Sequence, residues 1–237
     1  MQRMNVIALM GPSKSGKDTS GKILAEMGNG ATLAFADKLK SIVGEMFNLT
    51  HKDLYDEAFK EAPTSLDCLL CPECKKPEVT MVSMEDGPLQ AECGVCGTVG
   101  DARVFKGKWT PRTILQYLGT EGFRKIDPSV WVRYALAKAD AALKANGGDK
   151  DYIVITDCRF KSEMEAVLAA GGEVWRIKRP EVADSKAGLK GHASEQEMNS
   201  IPDSHLQAII DNDSTIEVLH GRLAAQFNRF QGERREP

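Results

Sequence analysis

The sequence predicts an α/β fold in which a parallel sheet lies between two layers of helices. Short apolar segments alternate along the chain with segments of helical periodicity. A glycine-rich turn joins the first apolar segment directly to the first helical one. With 237 residues, 42% of them hydrophobic, the chain can bury one full core. Ligands of such folds bind at the carboxyl ends of the parallel strands.

The predicted strands are short runs of aliphatic and β-branched residues bounded by glycine, proline or polar residues. They are Asn5–Met10, Ala31–Phe35, Tyr152–Thr156, Val174–Ile177 and Gln207–Asp211. Because helical segments separate most of them, we expect right-handed crossovers and one five-stranded parallel sheet.

The predicted helices carry apolar residues three and four positions apart. They are Ser20–Met27, Leu39–Phe47, Pro111–Leu118, Ser129–Ala145, Lys161–Ala170 and Thr215–Phe227. Pro111 and Pro128 suit first-turn positions, since each follows a residue of a capping type. Residues 228–237 form a polar tail that we expect to be frayed.

Charge and hydropathy restrict the partners. No apolar run approaches the roughly 20 residues needed to cross a bilayer, and no signal-peptide pattern opens the sequence. We therefore expect a cytoplasmic protein without a membrane partner. The net charge of −3 makes nucleic acid an unexpected partner, because phosphate backbones are bound by an excess of lysine and arginine. A homodimer is compatible with the sequence.

Residues 64–108 differ in composition from the rest and hold five of the six cysteines. Cys71 with Cys74 and Cys93 with Cys96 form two Cys-x-x-Cys pairs, a spacing that suits a tetrahedral Zn²⁺ ion. Cys68 is a competing ligand. We predict a zinc-ribbon-like insertion in a core made of residues 1–63 and 109–227. Its zinc would replace a hydrophobic core; alternatively, the ribbon contacts the acceptor, a partner or nucleic acid.

The turn after the first strand reads Gly11-Pro-Ser-Lys-Ser-Gly16-Lys17 and matches the phosphate-loop pattern G-x-x-x-x-G-K. Glycines let successive N–H groups face inward, the lysine reaches the β- and γ-phosphates, and the helix N-terminus adds partial positive charge. We therefore predict that ATP is bound by Gly11, Ser13, Lys14, Ser15, Gly16, Lys17, Asp18 and Thr19.

Asp18 occupies the position at which Ser or Thr usually ligates Mg²⁺. We expect Asp18 to bind Mg²⁺, directly or through water, or to act as a base for the acceptor phosphate. The alternative is a first-turn carboxylate that the helix dipole favours.

Together with this loop, further segments resemble the phage-type deoxynucleoside monophosphate kinases, which are P-loop kinases. The shared motifs are S-G-K-D-T at the loop, W-x-x-R…Q-x-L-G-T-[DE] at Trp109–Glu121, D-x-x-x-W at Asp127–Trp131, Y-I-V…D-x-R at Tyr152–Arg159, R-P at Arg179–Pro180, H-x-[ST]-E at His192–Glu195 and N-D-[GS]-S at Asn212–Ser214. The cysteine-bearing middle does not match. The resemblance implies a P-loop kinase-type three-layer αβα fold with strand order 2-3-1-4-5, and Mg²⁺-dependent transfer from ATP to a deoxynucleoside monophosphate. The polar run at about residues 179–196 is either a mobile lid over the nucleotide or a surface loop.

Within this interpretation the matched segments supply candidate site residues. Catalysis would depend on Lys17, Asp18, Asp157 and Arg159, where Asp157 orients the metal's water shell or the acceptor and Arg159 neutralises charge on the transferred group. Arg179 would contact ATP. The deoxynucleotide would be bound by Asp37, Lys38, Lys40, Arg112, Gln116, Thr120, Arg124, Trp131, Ser194 and Glu195.

Several alternatives stay open at this point. Trp131 either stacks on a nucleobase or belongs to the core, and Asp37, Lys38 and Lys40 either face the ligand or begin a solvated helix. The acceptor could instead be dephospho-coenzyme A or phosphomevalonate. A nucleic-acid-binding ATPase that uses the zinc ribbon is the hypothesis from another class.

Overall fold

The computed structural model describes residues 3–74, 79–82, 89–144, 150–180 and 193–235. The chain divides into two compact units, Met1–Lys38 with Arg124–Pro237 and Leu39–Phe123. In the part of the chain that is described, no helix is both long and apolar enough to cross a membrane.

The strands and helices are numbered in chain order. The strands are β1 (Val6–Met10), β2 (Gly30–Leu33), β3 (Asp67–Leu69), β4 (Val79–Val82), β5 (Gln90–Cys93), β6 (Val99–Asp101), β7 (Lys106–Lys108), β8 (Tyr152–Cys158), β9 (Glu173–Lys178) and β10 (Ala208–Asp211). The α-helices are α1 (Lys17–Glu26), α2 (Asp37–Phe47), α3 (His51–Tyr55), α4 (Glu57–Lys60), α5 (Pro111–Gln116), α6 (Val130–Lys144), α7 (Lys161–Ala169), α8 (Ala193–Ser200) and α9 (Ile216–Arg235). A π-helix spans Tyr117–Arg124.

The first unit contains the predicted parallel sheet, with the strands in the order β10-β9-β1-β8-β2. Counted along the five predicted strands, this is the order 2-3-1-4-5, so the expected topology is confirmed. β1 lies at the centre, and all five of its residues are buried. It pairs in parallel with β8 on one side and β9 on the other, so its carboxyl end at Met10 lies beside Cys158 and Arg176. The segment that follows Met10 is therefore at the edge where ligands bind.

One layer of the core lies between the sheet and α1 and α9. Trp175 and Phe230 meet edge to face at 6.2 Å, and Tyr152 packs on Phe227 at 4.7 Å. The Tyr152 hydroxyl donates to the Leu24 carbonyl at 2.6 Å, which satisfies the one polar atom of a buried ring. Each fully buried large side chain contributes about 2 kcal/mol of transfer free energy. This packing ties α1, and with it the preceding turn, to the sheet.

The prediction of a frayed tail at residues 228–237 is wrong for most of that segment, because α9 continues to Arg235. Phe230 is 2% exposed and continues the apolar face that Leu223 and Phe227 begin. Arg229 adds an ion pair with the buried Glu173 at 3.0 Å. An aromatic residue three positions after Phe227 was the sequence signal for this extension.

The second unit contains short helices and the cysteine-bearing insertion. Thr50 and Asp53 form a capping box that begins α3, and Thr110 with Thr113 forms another that begins α5 at Pro111, as predicted. That residues 64–108 form a separate insertion stays a prediction. The two ends of this segment lie close together, because the Thr64 N–H donates to the Trp109 carbonyl at 2.7 Å. β3 and β7 pair antiparallel, and β4, β5 and β6 form a three-stranded antiparallel sheet.

Candidate active site and cysteine cluster

The turn between β1 and α1 has the backbone of an anion-binding loop. Gly16 has φ +98° and Gly11 has φ +152°, while Lys14 adopts the left-handed conformation at φ +62°. A Cβ atom at Gly11 would lie 2.6 Å from the Ile177 carbonyl oxygen. Glycine is therefore required at both ends of the turn, by conformation at Gly16 and by space at Gly11.

Lys17 is the first residue of α1 and is only 7% exposed. Its Nζ donates to the Pro12 carbonyl oxygen at 2.6 Å, so the ammonium lies against the loop. No side chain caps the N-terminus of α1 at Gly16. The helix dipole favours negative charge at this end of α1.

The other predicted loop residues differ in exposure. Ser15 is fully buried, and its hydroxyl has no hydrogen-bond partner among the described residues. Ser13 is half-buried, and Lys14, Asp18 and Thr19 are exposed. The Asp18 carboxylate makes no hydrogen bond or ion pair with a described residue, so it is accessible to a ligand.

Asp157, near the carboxyl end of β8, fixes the loop that follows β2. Its two oxygens accept hydrogen bonds from the backbone N–H groups of Phe35 at 2.7 Å and Ala36 at 3.1 Å. Asp37 makes a local turn, because its carboxylate accepts from the Ala34 N–H at 2.7 Å. Lys38 is half-buried. Asp157 thus holds two strand ends together, and its role toward metal or acceptor stays a prediction.

A buried carboxylate connects Arg124 with the turn before α7. Glu163 is 2% exposed and accepts from Arg124 Nη2 at 2.5 Å and from the Arg159 N–H at 2.8 Å. The Arg124 guanidinium also lies 4.0 Å from the centre of the Phe160 ring. Burial raises the pKa of Glu163, against the opposing effect of Arg124. Arg159 is half-buried, and its guanidinium makes no ion pair with a described residue.

The predicted acceptor residues of the second unit are also engaged. Arg112 pairs with Glu57 at 2.6 Å and with Glu61. Lys40 Nζ lies 4.0 Å from the centre of the Tyr55 ring. Gln116 ends α5, and Thr120 lies in the π-helix; both are half-buried. π-Helical turns are rare and frequently occur at functional sites.

The remaining predicted residues are placed as follows. Trp131 is 5% exposed, so the structure favours the alternative in which it is a core residue. Arg179 is exposed just after β9. Ser194 and Glu195 lie in α8, but their side chains are outside what the structure describes. Most of the predicted lid, residues 181–192, is also outside the described residues.

Two residues with structural links to the site were not predicted. Glu163 holds the turn at Arg159, and Asn212 donates from Nδ2 to the Ser15 carbonyl oxygen at 2.9 Å. Asn212 begins the Asn-Asp-Ser segment that the resemblance had brought out, and Glu163 follows the predicted Tyr152–Arg159 motif by four positions. The signal was the residue type: a carboxylate at the first turn of a helix, and an amide directly after a strand.

Four cysteines of the second unit come together. The Sγ atoms of Cys71, Cys74, Cys93 and Cys96 all lie within 4.8 Å of one another. Cys71 and Cys96 are 3.6 Å apart, and Cys74 and Cys93 are 3.5 Å apart. Zn–S bonds of about 2.3 Å give a tetrahedron with edges of about 3.8 Å, so the donor set fits Zn²⁺.

Local contacts shape this cluster. Hydrogen bonds from Thr98 lower the pKa of Cys96 to about 6, which favours the thiolate that a metal needs. Gly97, at φ +71°, makes the turn after Cys96. Phe105 is fully buried beside Cys71 and Cys93. Cys68 lies in β3 and is not a member of the cluster.

Comparisons with known proteins found several proteins that are similar to this chain. Dephospho-CoA kinase from Campylobacter jejuni has a TM-score of 0.45 at 14% identity, over 97% of this chain and 99% of that one. The deoxynucleotide monophosphate kinase of Enterobacteria phage T4 is 24% identical over 245 residues, which cover 93% of this chain and 97% of the phage protein. A protein of Acanthamoeba polyphaga mimivirus, provisionally described by the same activity, is 26% identical over 236 residues, 93% of this chain and 94% of its own length.

The family model described as deoxynucleotide monophosphate kinase matches residues 85–223, more than half of the chain. The resemblance found in the motifs is thereby confirmed. The phosphate loop precedes the matched segment, and the alignment with the phage T4 protein extends over nearly the whole chain. The chain belongs to the deoxynucleotide monophosphate kinase family and is an enzyme of the nucleoside monophosphate kinase type.

Proposed function

We propose that this enzyme transfers the γ-phosphoryl group of ATP to a deoxynucleoside 5′-monophosphate in a Mg²⁺-dependent reaction that yields the diphosphate. The phosphate loop carries the proposal: Lys17 is buried against Pro12, behind a turn whose glycines adopt conformations that other residues rarely adopt. Such a turn suits a polyphosphate, because backbone N–H groups, a lysine and a helix N-terminus all offer positive charge. The family supports a deoxynucleotide as the acceptor.

In this proposal the catalytic groups position phosphates and neutralise charge. Lys17 would exchange the Pro12 carbonyl for phosphate oxygens. Arg159 is suited to the transferred group, since its backbone N–H is held by Glu163 and its guanidinium has no ion-pair partner among the described residues. Positioning and preorganised charge supply most of the rate in phosphoryl transfer.

Magnesium fits the oxygen donors beside the loop. Asp18 offers an exposed carboxylate on the first turn of α1, and the neighbouring Thr19 offers an exposed hydroxyl. Carboxylate and hydroxyl oxygens are the ligands that Mg²⁺ prefers. When bound, Mg²⁺ would neutralise charge that develops on the β- and γ-phosphate oxygens.

For the acceptor we propose Arg112, Gln116 and Thr120. Arg112 now pairs with two carboxylates, those of Glu57 and Glu61, and its side chain is 25% exposed. A phosphate monoester presents the same kind of oxygen pair to the guanidinium fork, with more charge. The acceptor phosphate would therefore replace one or both carboxylates.

One assay tests the proposed reaction. ADP formation from Mg-ATP is measured with each of the four dNMPs and each of the four NMPs offered singly, with dephospho-coenzyme A and phosphomevalonate as further acceptors. We expect activity with at least one dNMP, and a loss of about 100-fold or more in Lys17→Met. Lys22→Met is the matched control, since Lys22 is an exposed lysine of the same helix. Turnover only with a non-nucleotide acceptor, or only with DNA, would refute the assignment.

We further propose that Cys71, Cys74, Cys93 and Cys96 bind one structural Zn²⁺ ion. Their sulfur spacing supports this, and the small apolar cluster around Phe105 is too small to hold the insertion together by itself. Native mass spectrometry of the purified protein should find about one zinc per chain. A metal-free protein with the same fold would overturn the proposal.

A further inference from the structure

Asn212 links the last strand of the sheet to the phosphate loop. It directly follows β10, and its backbone N–H donates to the Lys178 carbonyl at the end of β9 at 2.6 Å. Its side chain makes a second link, since Nδ2 donates to the Ser15 carbonyl oxygen at 2.9 Å. The two residues are 197 positions apart in sequence. Asn212 therefore joins two separate segments of the first unit.

The turn that carries Asn212 is itself fixed. Arg222 of α9 donates from Nη1 to the Asp211 carbonyl at 2.5 Å and to the Asp213 carboxylate at 2.6 Å. The residues on both sides of Asn212 are thus held by one guanidinium. The Asn212 amide is consequently presented to the loop by a prearranged backbone, with little side-chain entropy left to lose.

The hydrogen bond to Ser15 also affects the neighbouring Gly16, because the Ser15 carbonyl and the Gly16 N–H belong to the same peptide plane. In a trans peptide the carbonyl of one residue and the N–H of the next point in opposite directions within a rigid plane. Asn212 fixes the direction of the Ser15 carbonyl, and so it also fixes the direction of the Gly16 N–H. Gly16 is the N-cap residue of α1, with φ +98°. Its N–H is one of the donors that a phosphate loop directs at its ligand.

The space around Gly16 fits this arrangement. A Cβ atom at Gly16 would lie 2.4 Å from Asn212 Nδ2, so the amide occupies the volume that a side chain would need. A Cβ atom at Gly11 would lie 2.8 Å from the Ser15 hydroxyl oxygen, which is itself buried. Ser15 is fully buried, and its carbonyl oxygen accepts the hydrogen bond from Asn212.

We propose that Asn212 is a positioning residue for the nucleotide's phosphates, acting through the Ser15–Gly16 peptide rather than by contact with the nucleotide. The inference rests on the proposed ATP site at the loop. In this role Asn212 raises the affinity of the loop for polyphosphate and makes no contact with the nucleoside.

The test uses Asn212→Leu, which keeps the size and removes the donor, with binding of Mg-ATP and of inorganic tripolyphosphate measured by isothermal titration calorimetry. We expect both affinities to fall by the same factor, about tenfold, as one lost hydrogen bond predicts. The KM for ATP should rise while the KM for the dNMP stays near the parent value. Asn228→Leu, at an exposed position of α9, is the control.

The outcomes separate the inference from the proposed function. If the parent protein binds no Mg-ATP, the proposed function fails, and this inference fails with it. If the parent binds ATP and Asn212→Leu loses affinity for ATP but not for tripolyphosphate, Asn212 contacts the nucleoside and the inference is wrong; unchanged affinity for both ligands would refute it as well. Asn212→Ser, too short to reach Ser15, serves as the second variant if Asn212→Leu does not fold.

Discussion

The carboxylate of Glu163 lies 2.5 Å from the Arg124 guanidinium and at the same time accepts the backbone N–H groups of Arg159 and Phe160. Glu163 is 2% exposed and Arg124 is 16% exposed, so the pair is largely shielded from water. Arg124 was predicted to contact the substrate. That role stays a prediction; in the structure Arg124 neutralises the carboxylate that shapes the Arg159 turn.

Removing the charge of Glu163 should destabilise the protein. Glu163→Gln leaves the Arg124 guanidinium without its counter-charge in a buried site, and breaking such a pair from one side costs about 3 kcal/mol. Urea denaturation measures the free energy of unfolding. Glu165→Gln is the matched control, because Glu165 lies on the same helix with its side chain 59% exposed. Equal stability of the two variants would show that the Arg124 pair does not hold this turn.

Asp18 should matter for catalysis and little for stability. Its carboxylate is exposed and has no partner among the described residues, so Asp18→Asn removes a metal ligand or base without disturbing packing. We expect kcat to fall about 100-fold or more, with an unchanged melting temperature. Glu26→Gln, an exposed carboxylate at the other end of α1, should behave like the parent. A near-parent rate in Asp18→Asn would leave only the alternative of a helix-dipole carboxylate.

The sequence predicted the sheet and the phosphate loop because both depend on local patterns. Continuous apolar runs mark strands buried on both faces, and the glycines of the loop have a conformational requirement that no other residue meets well. The strand order came from the family resemblance, and the pairing of β1 with β8 and β9 confirms it.

Partners that come from distant segments could not be predicted in the same way. Arg112 meets Glu57 and Glu61 more than 50 positions earlier, and Arg124 meets Glu163 39 positions later. A basic residue in a motif predicts a cation but not which anion approaches it, since that depends on tertiary packing. The π-helix at Tyr117–Arg124 was missed because its wider turn shifts the apolar spacing away from 3.6 residues.

We expect zinc binding to depend on the thiols of the cluster and not on that of Cys68. Cys74→Ser should lower the zinc content of the purified protein from about one per chain to near zero, because a four-thiolate site loses one ligand. Cys68→Ser should retain the metal, since Cys68 lies outside the cluster. Native mass spectrometry of both variants makes the comparison. Zinc lost on changing Cys68 and kept on changing Cys74 would reverse the ligand assignment.

We expect the Asp203 carboxylate, in the segment after α8, to make a contribution to stability that depends on pH. Its carboxylate accepts from Lys178 Nζ at 2.5 Å and pairs with Arg176 Nη1 at 2.5 Å. Arg176 in turn donates to the carbonyls of Met198 and Ile201, at the end of α8 and just after it. The hydrogen bond from Lys178, followed by the charge of Arg176, holds the pKa of Asp203 below its ordinary value.

A carboxyl group whose pKa is lower in the folded than in the unfolded state stabilises the fold above its unfolded pKa of about 3.9. That contribution is lost as the pH falls through the lower, folded value. Asp203→Asn should therefore be less stable than the parent by a constant margin from pH 7 to about pH 5, and the margin should shrink below about pH 4. Urea unfolding of both proteins at a series of pH values measures the margin. Asp211→Asn, an exposed carboxylate, is the control. A margin for Asp203→Asn that persists unchanged to the acid limit would mean that the Asp203 carboxylate contributes no charge interaction to the fold.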